Sequence, residues 1–379
     1  MSSALGFLSA PVRAPAECVI RVRDVEIDNL YPLLESLTVE TGRTDAGVAT
    51  LVFESRRDEA GRFAVLDDRV LVPWAPIRIE AAFGVLTEEV FRGYIRSVSA
   101  SFPESPAEAT VTVECQDESF ALDREHVRTV WGADEPTSDD LVLETVAGRH
   151  DLVVDPDSAE GQSSLVVHQD STDIQFLRAR ADANGYELLV HAGTIYFGPM
   201  RLEADPQPTI LVYAGLDAHA VRLDVHVDGH RPAKIGYHVL SADGTSVERH
   251  DVEPSLTLLG SEAPDTGEDD LGEFTWFLSG EGGAGAEELA ARAQQKVDEF
   301  SMRVRADAEI DGSLYGHVLR IGLPVTVDGV GDWLGGVYYV DRVTHTFTAD
   351  GYVQKARLLR NAFGDDLVGG AEGALAGVL

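Results

Sequence analysis

Lysine is almost missing from this chain of 379 residues: Lys234, Lys296 and Lys355 are the only three. Cysteine is scarcer still. Cys18 and Cys115 stand alone, in no C-x-x-C and at no zinc-ligand spacing, so a disulfide framework and a zinc ribbon are both excluded. Each lies in a strand-like run and reads as a buried free thiol, which fits synthesis in a reducing compartment. No apolar window reaches the ~18 residues of a membrane span. Met1 to Pro15 has no basic stretch ahead of its apolar residues, so no secretory signal is expected and assembly in the cytoplasm is. Also missing are G-x-S-x-G, H-E-x-x-H and any Cys/His nucleophile pattern. No positive case for an enzyme or a cofactor remains.

Acidic residues are abundant instead. Sixty-five Asp and Glu against 30 Lys and Arg give a formal charge of −35. Such a surface repels nucleic-acid phosphates and anionic lipids, so direct binding to either is not expected. Two origins fit the balance. A high-GC genome favours Arg over Lys, and a salt-in halophile adds Asp and Glu, whose repulsion is screened when the Debye length falls to ~3 Å.

The length implies two or three domains. Residues 1–117 predict a first β-barrel domain, with strands at Cys18–Arg23, Leu37–Glu40, Ala49–Phe53, Arg69–Pro73, Pro76–Ala82, Glu89–Ser99 and Ala109–Glu114. Residues 118–208 change character. Asp139–Ala147 reads as a helix capped by Ser138, and Asp170–Gly185 as a helix capped by Ser171 or Thr172. Ile174, Leu177 and Ala181 share a face of the latter, and Asn184-Gly185 stops it. A hairpin over Tyr186–Phe197 follows, turning at His191-Ala192-Gly193. Residues 209–365 predict a second β-barrel domain with strands Val221–Val227 and Ala233–Val239, an acidic Gly-rich loop over 260–287 broken by Phe274–Leu278, and a helix from Ala286 to Met302. Residues 366–379 form an apolar tail in which Leu367, Val368, Leu375 and Leu379 are candidates for docking a partner.

Few motifs carry chemistry. Asp265-Thr266-Gly267 spells an aspartic-protease triplet, but its neighbours are acidic and no second copy exists. Gly280–Gly285 precedes a helix as a phosphate loop does, yet it lacks Gly-Lys-Ser/Thr and is ringed by Glu281, Glu287 and Glu288, so it reads as a connector. Asp224, His226, Asp228 and His230 alternate, and on a strand they would point one way as a weak metal candidate; a solvated strand face is the competing reading. His345 has no nucleophile partner in the pattern and reads as a structural hydrogen-bonding group. Trp74, Trp131, Trp276 and Trp333 could serve a carbohydrate-binding surface but are dispersed. A glycosidase-type carboxylate pair occurs by chance at any spacing in so acidic a chain.

The stretch His317–Phe363 is the most specific. Strands Val325–Val327 and Val337–Thr346 flank the turn Asp328–Asp332, and Ala349-Asp350-Gly351 returns the chain into Tyr352–Leu359. Alternation predicts Val337, Tyr339, Asp341, Val343 and His345 on one face and Tyr338, Val340, Arg342 and Thr344 on the other. This meander, with Tyr352 and then Arg360-Asn361, resembles the end of the phage late control D and VgrG hub proteins. Phe91-Arg92-Gly93-Tyr94-Ile95 resembles their F-x-G strand, and Asp170–Leu188 their helix-hairpin insert, with Arg180 where that helix usually has Leu. The resemblance covers residues 17–363 in the family's order. It implies a mainly β (β+α) fold: two β-barrel tube-like domains with a small α/β insert, forming a trimeric pseudo-hexameric ring. It further implies a structural baseplate hub of a contractile tail or injection particle, adapting a sixfold tube to a threefold spike. The implied partners are two further copies (a homotrimer), a separate spike protein, a tail-tube or tube-initiator protein and baseplate wedge components. An all-β carbohydrate- or surface-binding module, or a cell-wall hydrolase, is the alternative.

Overall fold

The computed structural model describes residues 17–57, 61–105, 108–240, 246–267, 271–278 and 286–364; the tail candidates Leu367, Val368, Leu375 and Leu379, and the loop at 280–285, lie outside them. The first half contributes β1 (Glu17–Val22), β2 (Val25–Glu26), β3 (Leu34–Gly42), β4 (Val48–Glu54), β5 (Pro76–Phe83), β6 (Leu86–Ser101) and β7 (Thr110–Asp117). They pair antiparallel in the order β3-β4-β7-β6-β5-β1-β2. Period-two alternation does the sorting. Leu37 and Val39, Ala49, Leu51 and Phe53, Ile77 and Ile79, and Val111, Val113 and Cys115 all enter one core. Arg69–Pro73 is not a strand. Pro73 cannot donate to a ladder, and Arg69 (φ 51°) and Trp74 (φ 73°) take left-handed backbone. The segment follows a helical turn at Ala64–Asp67, which buries Val65, and drops Leu71 into the core instead.

The middle of the chain forms two small sheets, two longer helices and a short one at Ser119–Leu122. β8 (His126–Trp131) pairs with β10 (Val167–Thr172), and β11 (Glu187–His191) with β12 (Thr194–Gly198), which also takes β9 (Val153–Val154). Helix α1 spans Asp139–Arg149 and α2 spans Asp173–Asn184. The second helix starts three residues later than its sequence suggests, because Asp170–Thr172 pair with β8 instead. Ser138 and Thr172 occupy the N-cap positions without side-chain caps; Ser138 Oγ bonds Asp140 instead. Gly185 ends α2 in the left-handed conformation (φ 68°). The hairpin turn is the two residues Ala192 (φ 53°) and Gly193 (φ 79°), the pair of positive φ values that a tight hairpin turn requires.

The last part supplies β13 (Gln207–Leu211), β14 (Ala220–Val227), β15 (Lys234–Leu240), β16 (Val247–Val252), β17 (Thr275–Phe277), β18 (Val304–Asp311), β19 (Pro324–Asp328), β20 (Gly336–Thr348) and β21 (Gly351–Arg360). The order β14-β18-β21-β20 is antiparallel, with β19 on β20 and β13 parallel to β19. A satellite sheet β16-β15-β17 is covered by helix α3 (Ala286–Ser301), whose Leu289, Ala293 and Val297 meet Ile235 and Tyr237.

The two halves are one sheet. β20 pairs along β3 from Arg342↔Gly42 to Thr348↔Ser36, giving thirteen connected strands. A bulge between Val340 and Arg342 changes the parity of β20. Tyr338, Val340 and Val343 therefore share the second core, and Phe347 reaches the first. This corrects the strict two-face reading: Asp341 is the extra residue, and Val343 lies on the face of Tyr338 rather than that of Tyr339.

Candidate assembly surface

The solvent face of the long sheet is set by the strand registers. They align its outward residues in rows across six or seven strands. One row runs Asp311, Val353, Thr346, Thr38, Thr50, Glu114, Ser97. The next runs Gly351, Thr348, Ser36, Val52, Thr112, Ser99, and a third runs Glu309, Lys355, Thr344, Glu40, Val48, Gln116, Tyr94. Threonine suits such a half-exposed pleated face, since its branched Cβ favours the strand and its hydroxyl stays wet. The middle of the sheet is thus a hydroxyl belt.

Toward β14 the face becomes a lattice of opposite charges. Arg222 meets Asp224 at 2.6 Å, Arg305 meets Asp307 at 2.7 Å, Arg357 lies 3.7 Å from Asp307, and Lys355 3.6 Å from Glu309. Arg342 reaches across the join to Asp45. A shallow groove of about 340 Å³ runs over these side chains. Exposed pairs of this kind add little stability. Their effect is to leave this zone near neutrality in a chain of charge −35.

Several side-chain contacts tie the parts of the chain together. Arg43 binds Glu187 and, at 3.0 Å, Asp341; Tyr339 Oη donates to Glu187 at 2.8 Å and accepts from Arg201 N at 3.2 Å. Glu118 accepts the Gly193 N–H at 3.0 Å. Arg180, set where the resembled helix carries Leu, grips the buried Asp139 with Nε at 2.6 Å and Nη2 at 3.1 Å, tying α2 to the start of α1. Arg360-Asn361 has the clearest role. The Arg360 guanidinium, 1% exposed, donates to the carbonyls of Leu259 (3.0 Å), Gly335 (2.6 Å) and Gly364. Asn361 accepts from Leu259 N and donates to Thr257 O, both at 2.9 Å. Gly336 (φ 117°) lets Arg360 pass, since a Cβ there would lie 2.7 Å from Nη2.

The sequence-predicted chemical residues do not converge. Asp224 is held by Arg222, Asp228 by Arg231 at 3.1 Å, and His230 stacks on Phe274 beyond the end of β14. Among the described residues no three His, Cys, Asp or Glu side chains stand where they could share a metal ion. Asp265 accepts from Gly267 N in an exposed turn. His345 is buried and bonds Tyr352 Oη at 2.8 Å; burial holds its pKa down at about 3. The four tryptophans lie apart, each with its own internal partner: Phe120 for Trp74, Phe176 for Trp131, Phe300 for Trp276 and Phe363 for Trp333. The thiols of Cys18 and Cys115 are free and burial pushes both up to about 12. No described helix is long and apolar enough to cross a membrane.

The fold of this chain is similar to those of phage tail proteins and of a type VI secretion component. The 43 kDa tail protein of prophage MuSo2 from Shewanella oneidensis aligns with a TM-score of 0.69 over 92% of this chain and 99% of its own, at 14% identity. A tail protein from Neisseria meningitidis MC58 gives 0.60 over 92% and 97%, also at 14%. An Escherichia coli component of the type VI secretion system, described as structurally similar to T4 tail proteins gp27 and gp5, gives 0.52 over 90% and 76%, at 12%. No curated protein matches the chain. Residues 15–349 match the model of the Alg8 N-terminal domain, and the chain belongs to that family.

Proposed function

We propose that this protein is a structural baseplate hub of a contractile tail or injection particle, acting without catalysis. Three copies close into a ring. Each contributes two sheet halves, so the ring presents six similar edges to a sixfold tail tube or tube initiator and threefold symmetry to a separate spike. Baseplate wedge components pack outside, and the apolar segment 366–379, with Leu367, Val368, Leu375 and Leu379, engages the spike. The carrying observation is the β3–β20 join, which makes the two halves one rigid sheet with a single continuous solvent face. That face lines the channel. Its hydroxyls and mutually neutralised charges offer a passing polymer no strong point of attachment, while Glu40 and Glu114 repel anionic cargo.

Light scattering on the purified chain, in dilute buffer and in molar salt, tests the ring. A mass near three times 40.9 kDa supports it. A strict monomer in every condition, with spike protein added, refutes it.

A further inference from the structure

A cavity of about 30 Å³ lies where the three parts of the chain meet. Thr41 and Asp117 from the first sheet, Ser119 from the helical turn after it, Arg178 and His191 from the insert, and Ile321 from the last part are among its walls. His191 Nε2 is shut off from solvent and has no hydrogen-bond partner among the described residues. Burial, with the charges of Arg320, Arg92 and Arg201 nearby, holds this imidazole down at about 4, so it is neutral across the physiological range. A buried nitrogen with no partner is costly to fold around, and such groups in native proteins are almost always satisfied.

We propose that this cavity binds one or two ordered water molecules that bridge His191 Nε2 to the Asp117 carboxylate and to neighbouring hydroxyl or guanidinium groups. The volume admits little else, since a single water needs ~10–15 Å³ of such space. Polarity agrees. Asp117 is engaged on one oxygen by Ser119 N, at 3.0 Å, and by the Ser119 hydroxyl, and on the other by Gly47 N, yet each carboxylate oxygen can accept again. Thr41 offers a hydroxyl, and Arg178 offers donors. A cation is disfavoured by the four arginines whose charge reaches the site. An anion larger than water, like an apolar ligand, has too little room. The insert is thereby joined to both sheet halves through solvent as well as through the Glu118 and Arg43 contacts. This inference does not rest on the proposed hub function.

The test is a crystal or cryo-EM map of the full chain that resolves ordered water, paired with the same map of His191→Leu. The expected result is one or two peaks in the cavity, one of them about 2.7–3.2 Å from His191 Nε2, and loss of that peak in the variant. A dry cavity, or Nε2 bonded directly to a protein group, overturns the proposal. A peak that persists unmoved in His191→Leu overturns the bridge through His191.

Discussion

Glu118 is the carboxyl group whose titration should be easiest to read in solution. It sits against the hairpin turn at Gly193, whose N–H it accepts at 3.0 Å, with the Arg92 guanidinium 3.9 Å away. Burial outweighs both contacts and raises its pKa from 4.5 to about 7. The unfolded chain releases this proton near pH 4.5, whereas the folded chain keeps it until about pH 7. Between those values the native state binds more protons, so stability falls as pH rises and levels off above pH 7. At about 1.4 kcal/mol per pH unit, ionising Glu118 in the fold costs about 3 kcal/mol. Glu118→Gln keeps an oxygen for the Gly193 N–H and cannot ionise, and Arg92 retains Glu89 at 2.7 Å. Urea unfolding of both proteins at pH 5, 6, 7 and 8 should show near-equal stability at pH 5 and a gap opening to about 3 kcal/mol in favour of the variant at pH 8. A difference that does not change with pH, or a variant less stable at pH 8, would refute the reasoning.

Arg360→Ala strands the carbonyls of Leu259, Gly335 and Gly364 without their buried donor and should cost at least ~3 kcal/mol in the same assay; a loss below ~1 kcal/mol contradicts the stapling role. Cys115, buried and pushed up to about 12, should resist a thiol-exchange reagent at pH 8 until urea unfolds the chain, and rapid labelling of the native protein would show the site to be open.

Much of this architecture was legible in the sequence, because alternation, helix stops and turn residues are local signals. The strands at Leu37–Glu40 and Ala109–Glu114, the Ile174, Leu177 and Ala181 face and the Asn184-Gly185 stop all lie where the pattern put them. What failed was non-local. Arg69–Pro73 has β-type residues, but Pro73 and the positive φ of Trp74 keep it out of the ladder. The Asp341 bulge leaves no mark in the residue pattern, since it is set by which neighbours β20 must satisfy on two sides. The solvent face of the long sheet was legible only as scattered threonines and charges. Registers between strands about 300 residues apart turn them into rows, and no single window carries that information. Arg360-Asn361 was visible as a motif, yet its work of binding residues 257–259 needed the tertiary structure.

The pairing of β3 with β20 also bears on how the protein is made. Ser36–Gly42 must wait for Arg342–Thr348 before its second edge is covered, and the first core waits for Val318, Phe347 and Tyr352. At ~5–20 residues per second, some 300 intervening residues take about 15–60 s to synthesise. Throughout that interval the N-terminal half presents a bare strand edge, a template for other nascent chains on the same message. A chain cut short before residue 342 cannot finish its own sheet. Only chains that extend through Thr348 conceal the edge.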